Sequence, residues 1–566
     1  MPDRRHGELG RGKFQVATFI FELGLNMKRV VIIGGVAGGM SAAARLRRLN
    51  AEVEIVILEK SGHVSYANCG LPYFIGGVIQ NEESLLLQTP ESLYKRFRLD
   101  VRVHSEVESI DRTKKTVTVK SSDSTYELSY DKLILSPGAS PIRPNLPGVE
   151  RAMTLRNIED VEAISERVGR NPKSAVIIGG GFIGVELAEN LWHRGIPTAI
   201  VEATSQVLAP LDPEMATFVE AEIVKHGVSL YLGNSVTHIN PESVTLANGE
   251  QIPAEIVIVA IGVRPDTSLA VVAQLAIGVR GGIAVNGFNQ TSDPDIYAIG
   301  DVAEKKDALY GDATLIPLAN IANRHGRTVA DHIAGKKVRP VDSQGTAIVK
   351  VFDLTIATSG WNEKRLVAAG RAFLAIHNHP ASHAGYYPGA EGMSLKLLVD
   401  PVSQAILGVQ GVGREGVDKR IDVIATAMRG GITAPELADL ELAYAPPFSS
   451  AKDPVNMLGY IAENVLSGLT PTAQWYEVEE NVAAGYSILD VRTAGEVDRG
   501  TLPGAINIPI DEIRERKAEL PAGKLLVTCQ VGQRGHAATR LLRELGYEAI
   551  NLDGGYMTWS NSPSQC

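Results

Sequence analysis

The chain has 566 residues, 44% hydrophobic, 21% charged and 5% aromatic, the composition of a globular protein of about four domains, which excludes wholesale disorder and fibrous repeats. With 55 basic and 65 acidic residues the net charge is −10, which argues against general nucleic-acid binding and leaves room only for a local pocket that holds a phosphorylated small molecule. No run approaches about 18 uncharged apolar residues, so no transmembrane helix is expected, and three cysteines (Cys69, Cys529, Cys566) are too few for a secreted disulfide scaffold, which points to a reducing cytoplasm.

Residues 1–26 are Arg- and Gly-rich, with a short apolar patch broken by Glu22 and no small-residue cleavage site after it. They are expected to be a disordered extension outside the fold. Residues 28–33 form a β-branched run, followed by a Gly-rich turn, a helical stretch over 40–49, and a second strand over 53–58 that ends at Glu59. Strand-like segments at 116–119 and 133–135 follow. The first pattern then returns: a strand over 174–178, a Gly-rich turn, a helix over 185–193, and a strand over 198–201 that ends at Glu202. Strand–turn–helix–strand units of this kind start a parallel sheet.

From about residue 347 the texture changes. Segments 349–352, 368–375, 395–399 and 405–412 read as an antiparallel sheet, with helices over 418–429 and 454–466. Residues 468–472 look like a linker. The remainder is another small α/β unit with strands at 487–489 and 525–528.

The second Gly-rich turn, Gly179-Gly180-Gly181-Phe182-Ile183-Gly184, fits G-x-G-x-x-G between a strand and a helix. Glycines at these places permit the tight turn, the close approach of pyrophosphate and helix–strand packing, while the helix N-terminus offers free N–H groups. Glu202 can accept bonds from ribose hydroxyls and repels a 2′-phosphate, which favours NADH over NADPH. In the first turn Gly34 and Gly39 are the outer glycines and Val36 takes the middle position, a weaker motif supported by Glu59. Gly138 and Gly262 end strand-to-turn crossovers of the kind found beneath a nucleotide, and Asp301 follows a strand and a Gly, where it can bond a flavin ribityl chain.

At this point residues 27–465 resemble the two-dinucleotide flavoprotein disulfide reductases. The resemblance implies FAD at the first unit, NADH or NADPH at the second, and a C-terminal dimerisation domain. Cys69 lies in SYANCGLPY. Superfamily members that use an internal disulfide carry a second Cys five residues on, where this chain has Phe74, so Cys69 must form a mixed disulfide with a small thiol, a persulfide or a sulfenic acid. Peroxidase and oxidase members carry a His in the first turn; Ala37 stands there. SYANCGLPY is instead similar to the coenzyme A disulfide reductases. That resemblance implies that Tyr386 and Tyr444 reach the partner subunit's active-site cysteine in a homodimer, and that Ser41, Arg45, Arg48, Ser65, Asn68, Asn323 and Lys452 contact coenzyme A. His377, His379 and His383 lack a cysteine or acidic ligand among them and read as a solvated loop near the dimer interface, not a metal site.

Cys529-Gln530-Val531-Gly532-Gln533-Arg534-Gly535 follows a strand and precedes a helix. Backbone N–H groups, a helix N-terminus and Arg534 would stabilise a thiolate or persulfide there. With Asp490-Val491-Arg492 and Leu552-Asp553-Gly554-Gly555 it resembles a single-domain rhodanese, and the short loop is that of the sulfur transferases. Cys566 is read as a tail thiol. The expected fold class is therefore α/β, with two Rossmann-like FAD/NAD(P)-binding domains, an α+β dimerisation domain and a rhodanese-like α/β domain. The expected boundaries are 27–140 with 265–345 for FAD, 141–264 for NAD(P)H, 346–466 for dimerisation, 467–474 for the linker and 475–563 for the rhodanese domain. The expected activity is NAD(P)H-dependent reduction of coenzyme A disulfide, coenzyme A persulfide or polysulfide through Cys69, with Cys529 transferring sulfur. An NADH oxidase or peroxidase, and a non-catalytic sulfur carrier or redox sensor, are the alternatives.

Overall fold

Short runs of Val, Ile and Leu that are buried on both faces belong in the middle of a parallel sheet. Arg29–Ile33, Glu54–Leu58, Ala175–Ile178 and Thr198–Val201 are such runs. The computed structural model describes residues 27–340 and 342–563; the amino-terminal extension and Cys566 lie outside the described residues. Arg29–Ile33 is central in a five-stranded parallel sheet, flanked by Glu54–Leu58 with Asp100–Arg102 beyond it on one side, and by Lys132–Leu135 with Ile296–Ala298 beyond it on the other. The last of these strands returns to the first sheet only after a second, four-stranded parallel sheet has been built from Ser229–Tyr231, Thr198–Val201, Ala175–Ile178 and Ile256–Val259. The chain leaves the first unit and re-enters it through one antiparallel ribbon, Ala139–Pro141 against Val263–Pro265.

A five-stranded antiparallel sheet follows, in the order Ala347–Val351, Leu354–Gly360, Ile406–Gly413, Met393–Val399, Leu374–Asn378. Helices Val417–Gly430 and Pro454–Leu466 cover one face and share a core with it. Of the segment 368–375 only the last two residues are strand. Asn362 caps a short helix, Glu363–Ala368, by accepting from the Arg365 N–H at 3.0 Å, and Gly370 (φ +62°) turns the chain before the strand begins at Leu374. The strand Leu354–Gly360 carries too little apolar signal to be read from the sequence; Thr358 and Ser359 are among its buried residues.

The last unit is a five-stranded parallel sheet, Thr472–Ala473, Glu548–Leu552, Lys524–Thr528, Tyr486–Asp490, Ile506–Asn507. Its edge strand is formed within the expected linker. The unit docks on the rest of the chain: Gln474 Nε2 donates to Ala375 O at 2.9 Å and the Thr217 hydroxyl donates to Asn561 O. Among the described residues no helix is long and apolar enough to cross a membrane.

Candidate functional site

Both parallel units end their first strand in a turn that requires glycine. Gly34 (φ +99°) and Gly179 (φ +111°) lie in the left-handed region, and a Cβ would approach Ser136 O to 2.1 Å or Ala260 O to 2.6 Å. At Gly39 and Gly184 an added Cβ would lie 2.0 Å from the carbonyl of Gly34 and of Gly179 respectively. The two turns are thus built alike, and Val36 stands where the second unit has Gly181: each precedes its helix, Ala37–Leu49 or Phe182–His193. Neither helix has a side-chain cap or an acidic residue in its first turn, so no carboxylate competes for the N–H groups that face an incoming pyrophosphate.

The acidic strand ends are wired identically. Glu59 accepts from Gly35 N at 2.8 Å and from Ser61 N and Oγ at 2.9 Å. Glu202 accepts from Gly180 N, Thr204 N and Thr204 Oγ1, each at 2.8 Å. Both carboxylates are fixed at the mouth of a cavity, and each keeps lone pairs for ribose hydroxyls.

Two cavities of about 990 Å³ open beside these turns. Gly34, Glu59, Gly138 and Asp301 line the first, and Gly179, Gly181, Glu202, Gly262 and Asp301 the second. Gly39 and Gly184 act from behind, through helix–strand packing. Each cavity is large enough for a dinucleotide. The glycine turns that a Cβ would block, the uncapped helix ends and the fixed carboxylates fit FAD in the first and NADH in the second. The cavities share a wall that includes Asn68, Cys69, Arg156 and Asp301.

Cys69 sits in the single helical turn Asn68–Gly70 that leads into helix Leu71–Ile75. It is a free thiol open to both cavities. Surrounding protein is close enough that burial pushes its pKa up, Glu186 and Asp301 add to this, and Arg156 opposes it. Two neighbours, Arg156 and Glu186, carried no motif and were not legible in the sequence. Arg156 reaches Asp301 at 3.4 Å and pairs with the Asn68 amide, its carbonyl accepting at 2.8 Å and its Nη1 donating at 3.2 Å. Tyr73 donates to Glu186 at 3.1 Å. Burial, with Glu189 nearby, pushes the Glu186 carboxyl up to about 7 against that hydrogen bond.

Ser41, Ser65, Asn68 and Asn323 line the first cavity, and Ser41 Oγ donates to Asn323 Oδ1 at 2.7 Å. Arg45 and Arg48 do not form a joint phosphate clamp: Arg45 is paired with Asp331 at 2.7 Å and Arg48 lies over the Phe97 ring. Lys452 is exposed on the dimerisation unit, over the Tyr460 ring. Tyr386 and Tyr444 are exposed on that unit with their hydroxyls 2.9 Å apart, away from both cavities of their own chain. The expectation of a solvated histidine loop fails. His377 is a buried strand residue between Asp553 and Glu214, His379 bonds Ser394 and Thr558, and His383 is buried. Their sequence neighbours gave no hint of these distant partners.

In the last unit Cys529 follows strand Lys524–Thr528 and is fully buried beneath its loop, ahead of helix Gln533–Glu544. Arg492, buried and paired with Asp490 at 2.7 Å, donates to Gln530 Oε1 at 3.1 Å and lies over the Tyr556 ring, which fixes the loop from one side. Arg534 is not a free cation beside the thiol; its guanidinium is engaged by both oxygens of Glu496.

The pyridine nucleotide-disulphide oxidoreductase family model matches residues 28–326, its dimerisation domain residues 346–454, and a rhodanese-like domain residues 474–562. The coenzyme A disulfide reductase of Staphylococcus aureus (strain JH9) is 36% identical over 443 residues, covering 77% of this chain and 100% of its own length. The crystal structure of reduced Bacillus anthracis CoADR-RHD superposes with a TM-score of 0.93 at 48% identity, over 94% of this chain and 98% of that one. A NAD-dependent persulfide reductase from A. fulgidus superposes at 0.89 with 37% identity, over 94% and 100%.

Proposed function

The chain belongs to the pyridine nucleotide-disulphide oxidoreductase family, and from that premise we propose that it is an FAD-dependent reductase that uses NADH to reduce coenzyme A persulfide, coenzyme A disulfide or polysulfide. One observation carries the reading: a free cysteine stands where two dinucleotide-sized cavities meet, with Phe74 in place of a resolving thiol. The Cys69 thiolate attacks the inner sulfur of a coenzyme A persulfide. A bond forms between the two sulfurs, hydrosulfide leaves, and Cys69 is left in a mixed disulfide with coenzyme A; with coenzyme A disulfide the leaving group is coenzyme A thiolate. Bound in the two cavities, NADH and FAD supply the two electrons that return this mixed disulfide to two thiols.

Ser41, Ser65, Asn68 and Asn323 hold the coenzyme A chain on the Cys69 side, and the exposed Lys452 of the dimerisation unit is available to its phosphates. In the proposed homodimer, Tyr386 and Tyr444 are presented to the partner subunit's active-site cysteine and protonate the leaving thiolate. Their exposure and converging hydroxyls support this. At the other end of the chain the Cys529 thiolate takes the outer sulfur of thiosulfate or polysulfide, releasing sulfite or the shortened polysulfide. Coenzyme A thiolate then removes that sulfur and regenerates the Cys529 thiolate. With two free cysteines in working positions, the enzyme belongs in the cytoplasm. Replacing Cys69→Ser tests the reading: NADH-dependent persulfide reduction falls to background while flavin content is kept. A variant with full turnover overturns it.

A further inference from the structure

A buried polar seam joins the reductase half to the rhodanese-like half. His377 lies on strand Leu374–Asn378 of the dimerisation unit. Its Nδ1 faces Asp553 Oδ2 at 2.7 Å and its Nε2 faces Glu214 Oε1 at 3.1 Å, while its backbone N–H donates to Asp553 Oδ2 at 3.0 Å. Ionised carboxylates only accept, so both ring nitrogens carry protons and the ring is an imidazolium. Directly opposite in the sheet stands Lys396, also fully buried. Two facing cations repel. Glu214 Oε1 stands between them, 2.5 Å from Lys396 Nζ, and Asp212 and Glu363 complete the lysine's shell at 3.0 and 2.9 Å. Burial alone would lower the His377 pKa; the two carboxylates outweigh it and hold it at about 9.

Asp553 leads directly into the segment that supports the Cys529 loop. Tyr556 N donates to Cys529 O at 2.7 Å and Met557 N to Gln530 O at 2.9 Å. Gly555 lies so close beneath the loop that a Cβ would reach Cys529 O at 2.4 Å, and a Cβ on Gly554 would lie 2.9 Å from His377 Cβ. Further along, Thr558 bonds His379 Nε2 at 2.8 Å. The end of strand Leu374–Asn378 and the residue just after it therefore grip this supporting segment at both ends.

We propose that His377 is a positioning residue for sulfur transfer: by clamping Asp553 against Glu214 it sets the Gly554–Gly555 turn beneath the Cys529 loop, so that the rhodanese-like site depends on a side chain from the reductase half. The inference rests on the reading of Cys529 as the sulfur-transferring thiol.

The test uses the full-length flavoenzyme with thiosulfate as donor and cyanide as acceptor, comparing wild type with Cys529→Ser, His377→Gln and Asp553→Asn. Transfer falls about 10-fold or more in His377→Gln and in Asp553→Asn, with no further loss in the double variant, because a displaced reacting atom carries a cost of this order. Flavin content and NADH-dependent coenzyme A disulfide reduction stay within about twofold of wild type. The ratio of wild-type to His377→Gln transfer falls toward one above pH ~9, as the imidazolium loses its second proton. Glu214, Asp553, Lys396 and His379 are the ionisable groups that face the ring. If His377→Gln fails to retain flavin, Asp553→Asn decides, since it weakens the same clamp from the rhodanese-like side by removing the charge that faces the imidazolium while keeping the side chain's shape. Cys529→Ser with undiminished transfer overturns the reading of Cys529. Cys529→Ser without transfer, together with Asp553→Asn within about twofold of wild type, overturns the positioning role alone.

Discussion

Replacing Lys396→Met leaves Asp212, Glu214 and Glu363 facing one another at a fully buried point where three domains meet. At 3.0 Å and an effective dielectric of ~20, the attraction of the ammonium for Asp212 alone is about 5–6 kcal/mol gross. The desolvation of a buried ion offsets most of such gains, and removal of one partner from a buried cluster costs a net ~3–5 kcal/mol, because Asp212 and Glu363 lose the ammonium they face and Glu214 keeps only the His377 imidazolium. The variant should show that loss in denaturant midpoint at pH 8, as a destabilised reductase half.

The pH dependence distinguishes charge from packing. In the wild type Lys396 holds the Glu214 carboxyl well below its ordinary range despite burial. Without the lysine, burial outweighs the remaining His377 contact and the folded-state pKa of Glu214 rises above its unfolded value, while that of Glu363, already raised by burial, rises further. A group of that kind favours folding when it is protonated, so the deficit of the variant should shrink as pH falls from 8 to 5. A deficit below ~1 kcal/mol, or one of equal size at both pH values, would show that the cluster is not held together by the lysine's charge.

Three further outcomes follow from the nucleotide and thiol geometry. Glu202→Ala should raise the preference for NADPH relative to NADH by about 10-fold in kcat/KM, since the carboxylate that repels a 2′-phosphate is removed; the Gly180 and Thr204 N–H groups it held are freed to face that phosphate. Glu186 is neutral below pH ~7 and anionic above, and it stands beside Cys69 where the cavities meet. The affinity of NAD+ relative to NADH should therefore rise as pH passes ~7, and Glu186→Gln should flatten that titration, followed by ligand-induced fluorescence changes. Tyr444→Phe and Tyr386→Phe should each slow turnover of the coenzyme A mixed disulfide by ~10²-fold or more if they act as the acid, and leave NADH-dependent flavin reduction unchanged in stopped-flow absorbance.

What the sequence revealed divides along physical lines. The glycine turns were legible because chemistry confines those positions: at Gly39 and Gly184 any side chain would strike a carbonyl 2.0 Å away, so the spacing survives as a readable pattern. Cys69 and Cys529 were legible because their flanking residues make local turns. The histidines were not, because what decides them is remote. His377 reads as polar and loop-like beside Asn378 and His379, yet Glu214 and Asp553 come from two other domains. Arg156 and Glu186 reach Cys69 only through the fold. In the antiparallel unit the run at 366–375 mixes a helix end, a glycine turn and a strand start in one apolar stretch, and period alone cannot separate these. Arg534 shows the reverse error: proximity in sequence to Cys529 suggested a free cation, and Glu496 occupies it.

Peptide mass spectrometry after exposure of the enzyme to coenzyme A disulfide, without reductant, tests the central claim most directly. The account predicts that the Cys69 peptide gains the mass of one coenzyme A and loses it on addition of NADH. A Cys69 found joined to another cysteine of the chain, or left unmodified while turnover proceeds, would contradict it.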